Sequence, residues 1–341
     1  MSADASWLQL SWFVLFGALL AGYAVLDGFD LGVGVLSLAA RSGDERRLHI
    51  LAIAPVWDGN EVWLLAAGGA LFAAFPPVYA AAMSGFYPAI MISLAALVGR
   101  AVAIEFRGQI DSARWRRIWD WVFGVGSLVP AFVFGLAVGN VMRGVPLDAG
   151  GSYAGGFLDL LHPYALLVGL QGLAMFVCQG ACWLRLKTTG ELEARMGRWS
   201  QLAWAAWALL AGLSTAATFL VAPARLEGLL ARPLLWPVPL LLACALVALP
   251  LLQRAGKALA AFLASSLAVV AQVGLAGASL YPFLLPGPGG GGLSVSGASA
   301  SETSLEVMLV IASIGMPAVI AYTAVIYRVF KGKLGTGSRS Y

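Results

Sequence analysis

The chain is short of charge. Only 11% of its 341 residues are Asp, Glu, Lys or Arg, while 60% are hydrophobic and the mean hydropathy is +0.85. A soluble domain carries about 25% charged residues. A chain this apolar cannot cover a fold with polar surface in water, so its length goes into membrane-spanning helices. Cysteine is also scarce. Cys178, Cys182 and Cys244 all lie in apolar runs, with no disulfide framework and no C-x-x-C redox motif. They read as small buried apolar side chains. There is no basic segment ahead of the first apolar run, and that run is too long for a signal-peptide core. The first span itself is therefore expected to direct insertion. The small positive excess, +4 with a pI of about 9.1, does not call for nucleic acid. Membrane chains collect Lys and Arg in cytoplasmic loops.

A spanning helix needs about 20 apolar residues. Nine such runs are present, at 8–38, 49–75, 80–105, 121–142, 162–186, 200–222, 234–253, 258–284 and 305–330. The connections test that count. Arg41, Arg46, Arg47, Arg107, Arg114, Arg116, Arg117, Arg185, Lys187, Arg195, Arg198, Arg254, Lys257, Arg328, Lys331, Lys333 and Arg339 fall on one side. Arg143, Arg225 and Arg232 fall on the other. The asymmetry places the N-terminus outside and the C-terminus in the cytoplasm. The stretch 286–304, PGPGGGGLSVSGASASETS, reads as a flexible outer linker without chemistry. LFGALLAGYAVLDGFDLGV (15–33) can be laid against LVGLQGLAMFVCQGACWLR (167–185). The expected architecture is all-α: one integral membrane domain, 1–341, of two four-helix bundles (halves 1–145 and 160–285) plus a final helix, 305–330.

Ionisable groups at membrane depth are costly and mark function. The first run holds Asp27 and Asp30, the second Asp58 and Glu61, and the third Arg100 and, near its end, Glu105. Each acidic pair is spaced i, i+3, on one helix face. Asp30 stands eleven residues before Arg41, and Asp58 eleven after Arg47, so each is roughly 16 Å from its charged end. Arg100 is seven residues before Arg107, roughly 10 Å in. These groups can meet if the first three spans pack together. Two readings are open: Arg100 neutralises carboxylates and locks the helices, with Asp30 the favoured partner, or part of the cluster carries protons. Four acids and one arginine cannot all pair, and unpaired carboxylates exchange protons. Asp58 and Glu61 are the stronger candidates for a proton path, Asp27 and Asp30 the weaker. Gly28, Gly32, Gly34, Gly59, Gly68 and Gly69 are read as close helix contacts rather than a phosphate cradle.

His49 and His162 are the only histidines and lie at opposite membrane faces, so together they cannot ligate one haem. They read as interfacial polar residues. Most Trp and Tyr residues fit interfacial belts. Trp57, beside Asp58, can stack on a planar quinone ring.

GYAVLDGFDLGVGVL (22–36), IAPVWDGNEVWLLAAGGALFAAFPPVYAAAMSGFYPA (53–89) and WDWVFGVGSLVP (119–130) resemble subunit II of the cytochrome bd quinol oxidases. GNVMRGVP (139–146), QGACWLRLKTTGEL (179–192) and SLYPFLLP (279–286) are similar to its later part. The short connection at 223–233 resembles the cyanide-insensitive branch. The resemblance implies a bacterial inner-membrane complex that oxidises quinol, reduces oxygen to water with four electrons, and takes its protons from the cytoplasm without pumping. It implies haem b, and usually haem d, ligated by subunit I, with subunit II free of haem and inactive alone. It implies a small single-helix subunit, a structural ubiquinone near Trp57, and a proton path that includes Asp58. A proton-coupled secondary transporter is the competing reading of the buried carboxylates.

Overall fold

The computed structural model describes residues 5–287 and 290–334. Arg339 of the charge count, and Pro288 and Gly289 of the 286–304 stretch, lie outside the described residues.

Helix α1 (Trp7–Ser37) begins with a capping box, in which Ser6 accepts from the Gln9 N–H and the Gln9 side chain accepts from the Ser6 N–H at 2.9 Å. Its 31 residues span roughly 46 Å, more than the hydrocarbon thickness, so it tilts or projects. The run 49–75 is not one straight helix. Helix α2 (Gly43–Ile53) and helix α3 (Trp57–Ala74) meet at 54°, with Pro55 in the break, because proline lacks an N–H and disfavours helix in the residue before it. Asp58 therefore stands in the first turn of α3, and its depth does not follow from counting along a continuous helix. A second break separates α4 (Pro76–Gly85) from α5 (Tyr87–Phe106), each with proline in its first turn. Then follow α6 (Ala113–Arg143), α7 (Pro163–Lys187), α8 (Gly190–Val221), the short α9 (Pro223–Leu230), α10 (Pro237–Arg254), α11 (Ala258–Leu280) and α12 (Glu302–Val329). Among the described residues, eight helices are long and apolar enough to cross a membrane, or nine if the bent α2–α3 pair is one span.

The helices approach at glycines. A Cβ on Gly32 of α1 would lie 1.9 Å from the carbonyl oxygen of Phe176 on α7, and one on Gly180 would lie 2.5 Å from the backbone of Gly32. Only hydrogen fits there, so α1 and α7 touch backbone to backbone. These are the two segments that echo one another in the sequence. Helix α1 packs on α3 and α6, and α6 on α5; α7 packs on α8 and α11, and α11 on α10. An inner apolar core surrounds Phe29, whose ring stacks on Trp183 at 4.3 Å. A second core surrounds Trp12, Phe75 and Leu285 nearer the opposite end.

The described part of 286–304 is not a free linker. Strand β1 (Phe283–Pro286) pairs antiparallel with β2 (Gly292–Ser294). Val295 and Ala298 are buried, Ala300 N–H donates to the Ala74 carbonyl at 2.8 Å, and Gln9 Nε2 donates to Ser299 Oγ at 2.7 Å. On the opposite face, ion pairs tie the helix ends together. Arg195 pairs with Glu45, Arg107 with Asp120 at 2.6 Å, and Lys333 with Glu193 at 2.7 Å.

Candidate functional site

Helices α1, α3 and α5 bring their ionisable side chains together inside the bundle. The i, i+3 spacing puts Asp27 and Asp30 on one face of α1, and both are fully buried. Arg100 of α5 is also fully buried. Its guanidinium grips Asp27 with two prongs, Nη2 to Oδ1 at 2.7 Å and Nη1 to Oδ2 at 3.1 Å. This two-pronged, charge-assisted geometry is the strongest such pairing. Glu61 of α3 accepts from Arg100 Nη1 at 3.3 Å. Asp30 is the more distant carboxylate, 4.0 Å from Nη2. The expectation that Asp30 is the arginine's chief partner is therefore corrected to Asp27. Asp30 instead accepts from Asn60 Nδ2 at 2.7 Å, and Asn60 Oδ1 accepts from the Tyr327 hydroxyl of α12 at 3.0 Å. The sequence pattern singles out neither Asn60 nor Tyr327. Asn60 stands inside the quoted WDGN motif; Tyr327 has no local signal, since its role depends on α12 packing beside α3.

The other predicted residues divide. Glu61 is a quarter exposed, with its side chain at 26%, while bonded to buried Arg100. Asp58, one helical turn earlier, is exposed on the surface of this chain. The chain alone does not enclose it. Its place in the first turn of α3 suits a carboxylate, since the positive end of the helix dipole lies there. Trp57 is half-buried and packs against the inner core. Glu105 is exposed and lies outside the cluster.

Several buried polar atoms beside the cluster have no hydrogen-bond partner among the described residues: Tyr23 Oη, Asp30 Oδ1, Trp63 Nε1, Ser93 Oγ and Arg100 Nε. Tyr23 is one turn before Asp27 on the same α1 face. Ser93 is two turns before Arg100 on α5, and the Trp63 ring lies against Gly22 of α1. Four of the five are donors, and buried donors seek acceptors.

The two histidines lie in different elements, far apart in the chain. His49 is buried on α2, its Nδ1 2.7 Å from the Glu45 carbonyl. His162 caps α7 at the far end of the bundle, with Nδ1 accepting from the Tyr164 N–H at 3.2 Å. Burial and the nearby Arg143 guanidinium lower the His162 pKa, which favours the neutral ring that this cap requires. Among the described residues, no group of three or more His, Cys, Asp or Glu side chains is arranged to hold a metal ion.

The fold and the site define a helical membrane protein built round one buried arginine and three carboxylates. Residues 8–330 match the family model for cytochrome bd terminal oxidase subunit II. The chain is similar to cytochrome bd-I ubiquinol oxidase subunit 2 of Escherichia coli, 38% identical over 97% of this chain and 96% of that one. It is similar to cytochrome bd ubiquinol oxidase subunit 2 of Bacillus subtilis, 34% identical over 95% and 96%. In fold it is similar to a chain of the bd oxidase from Geobacillus thermodenitrificans, with a TM-score of 0.77, 18% identity, and 95% and 98% of the two chains covered. The chain belongs to the cytochrome bd terminal oxidase subunit II family. It is a multi-pass inner-membrane subunit of a quinol:oxygen oxidoreductase, in complex with subunit I. The transporter reading finds no support among these relatives.

Proposed function

We propose that this chain and subunit I together couple membrane quinol oxidation to the four-electron reduction of oxygen to water. Subunit I holds haem b and usually haem d. This chain holds no haem, stabilises the assembly, and leads protons from the cytoplasm through Asp58 and Glu61. The observation that carries this reading is the position of Glu61: one side on the buried Arg100 at 3.3 Å, the other open at the surface, one turn from exposed Asp58. One guanidinium cannot neutralise Asp27, Asp30 and Glu61 together, and carboxylates left over in a low dielectric exchange protons. Asp27 and Arg100 serve mainly as the lock between α1 and α5, with Asp30 held to α3 by Asn60.

In this reading subunit I covers the exposed side of α3, so Asp58 opens into the interface rather than into lipid. The one-sided distribution of Lys and Arg supports an N-terminus outside and a C-terminus in the cytoplasm. The two groups of four spans are related halves, with α12 added. A structural ubiquinone contacts Trp57, which is half-buried beside exposed Asp58. Lipid and a small single-helix subunit meet the remaining apolar surface.

The test uses the whole oxidase carrying Asp58→Asn or Glu61→Gln. Quinol-driven oxygen uptake should fall by at least roughly tenfold, as for loss of a positioned proton carrier, with the reduced-minus-oxidised haem spectrum unchanged. Full uptake in both variants would refute the proton path.

A further inference from the structure

We infer that the groove between α5 and α6 is a binding site for one anionic phospholipid. This goes beyond the oxidase reading and does not depend on it. The groove has a volume of about 310 Å³ and an almost wholly apolar lining, which includes Ala95, Ala96 and Gly99 of α5 and Trp121, Val125 and Gly126 of α6. Its shape follows from the sequence. A Cβ on Gly126 would stand 2.7 Å from the Ala96 carbonyl oxygen, and one on Gly99 would stand 3.3 Å from Val122. The two backbones close up there, and the small residues on the outer side leave a notch instead of a filled ridge. Trp121, 60% exposed, forms its wall. The lining suits an acyl chain.

The charge lies at one end. Arg117 is one helical turn before Trp121, and Arg114 two turns before it, roughly 6 and 10 Å along the α6 axis. Successive turns keep them on the Trp121 side of the helix. Both are exposed, and neither has an ion pair or hydrogen bond among the described residues. Neighbouring arginines differ: Arg116 pairs with Asp111 at 2.8 Å, and Arg107 is buried against Asp120. Two unpaired guanidinium groups thus stand where α6 enters the membrane, above an apolar notch. A guanidinium fork matches a phosphate, and basic sites between spanning helices take anionic head groups. The occupant with both features is a phospholipid of net negative charge, head group on Arg114 and Arg117 and one chain along Trp121. A zwitterionic lipid of the same chain length fills the notch but brings no net charge to the arginines.

The experiment is native mass spectrometry of the delipidated whole oxidase, titrated with phosphatidylglycerol or with phosphatidylcholine of matched chains. Wild-type complex should hold one more phosphatidylglycerol than the Arg114→Gln/Arg117→Gln complex, whose affinity at this site falls roughly ten- to thirty-fold. Ala95→Phe, which fills the notch and leaves both charges, should lose the same single lipid. The haem spectrum confirms that each complex is assembled. Equal lipid stoichiometry in wild type and both variants, or phosphatidylcholine held as tightly as phosphatidylglycerol, would overturn the site.

Discussion

At the scale of single residues, the decisive feature is that Arg100 faces three carboxylates but grips only one with both prongs. Removing one member of a buried pair costs about 3–5 kcal/mol, because the remaining charge is left uncompensated. The two aspartates of α1 should therefore differ. Asp27→Asn takes away the charge that the guanidinium fork holds and turns an amide N–H₂ toward it. Asp30→Asn keeps a carbonyl oxygen that can still accept from Asn60. Thermal unfolding of the whole oxidase, followed by loss of the haem spectrum, should show Asp27→Asn as the less stable by about 1–3 kcal/mol. The reverse order would contradict the assignment of Asp27 as the arginine's partner. The DGFD motif made the pair legible, since i, i+3 spacing fixes a common face. It could not say which aspartate meets Arg100, because that depends on how far α5 slides along α1. The same holds for Tyr327, which bonds Asn60 across 267 residues of chain.

At the scale of elements, helix positions are set by where no side chain is allowed. Gly32 stands against the Phe176 carbonyl, whereas Gly17, on the same helix, has nothing within 4 Å of where an added Cβ would sit. Gly32→Ala must push α1 from α7 and should destabilise the complex by about 1–3 kcal/mol, as overpacking does. Gly17→Ala should be neutral or slightly stabilising, since alanine is the better helix former. A thermal shift in Gly17→Ala as large as that in Gly32→Ala would mean that the α1–α7 contact is not tight. Hydropathy located the spans, because long apolar runs are a composition signal. It did not reveal the bend at Pro55, since the apolar residues on both sides outweigh Pro55 and the polar Asp58–Glu61 segment when hydropathy is averaged over a span. Nor did it reveal the order in 286–304. Gly and Ser read as flexible by composition, while the bonds to Gln9 and Ala74 that hold this stretch come from distant helices.

At the scale of the whole molecule, the chain is unfinished as a surface. Among the buried residues of α12, Leu305 stands alone, and Leu65 and Phe72 of α3 are 74% and 61% exposed. Exposed Asp58 lies at the start of that same helix α3, so the neighbour that covers α3 decides what Asp58 does. Family membership was legible because the 53–89 block is long and sets Trp57, Asp58, Gly59, Asn60, Glu61 and Trp63 together in an otherwise apolar run. The exposure of Asp58 was not, because periodicity assigns faces within a chain and cannot see a partner subunit. The measurement that bears most directly on proton delivery by Asp58 and Glu61 is proton uptake during a single turnover. Fully reduced whole oxidase is mixed with oxygen in the presence of a pH-indicating dye. In the Asp58→Asn complex, oxygen should bind at the wild-type rate while proton uptake slows by at least roughly tenfold. Proton uptake at the wild-type rate in that complex would contradict the account.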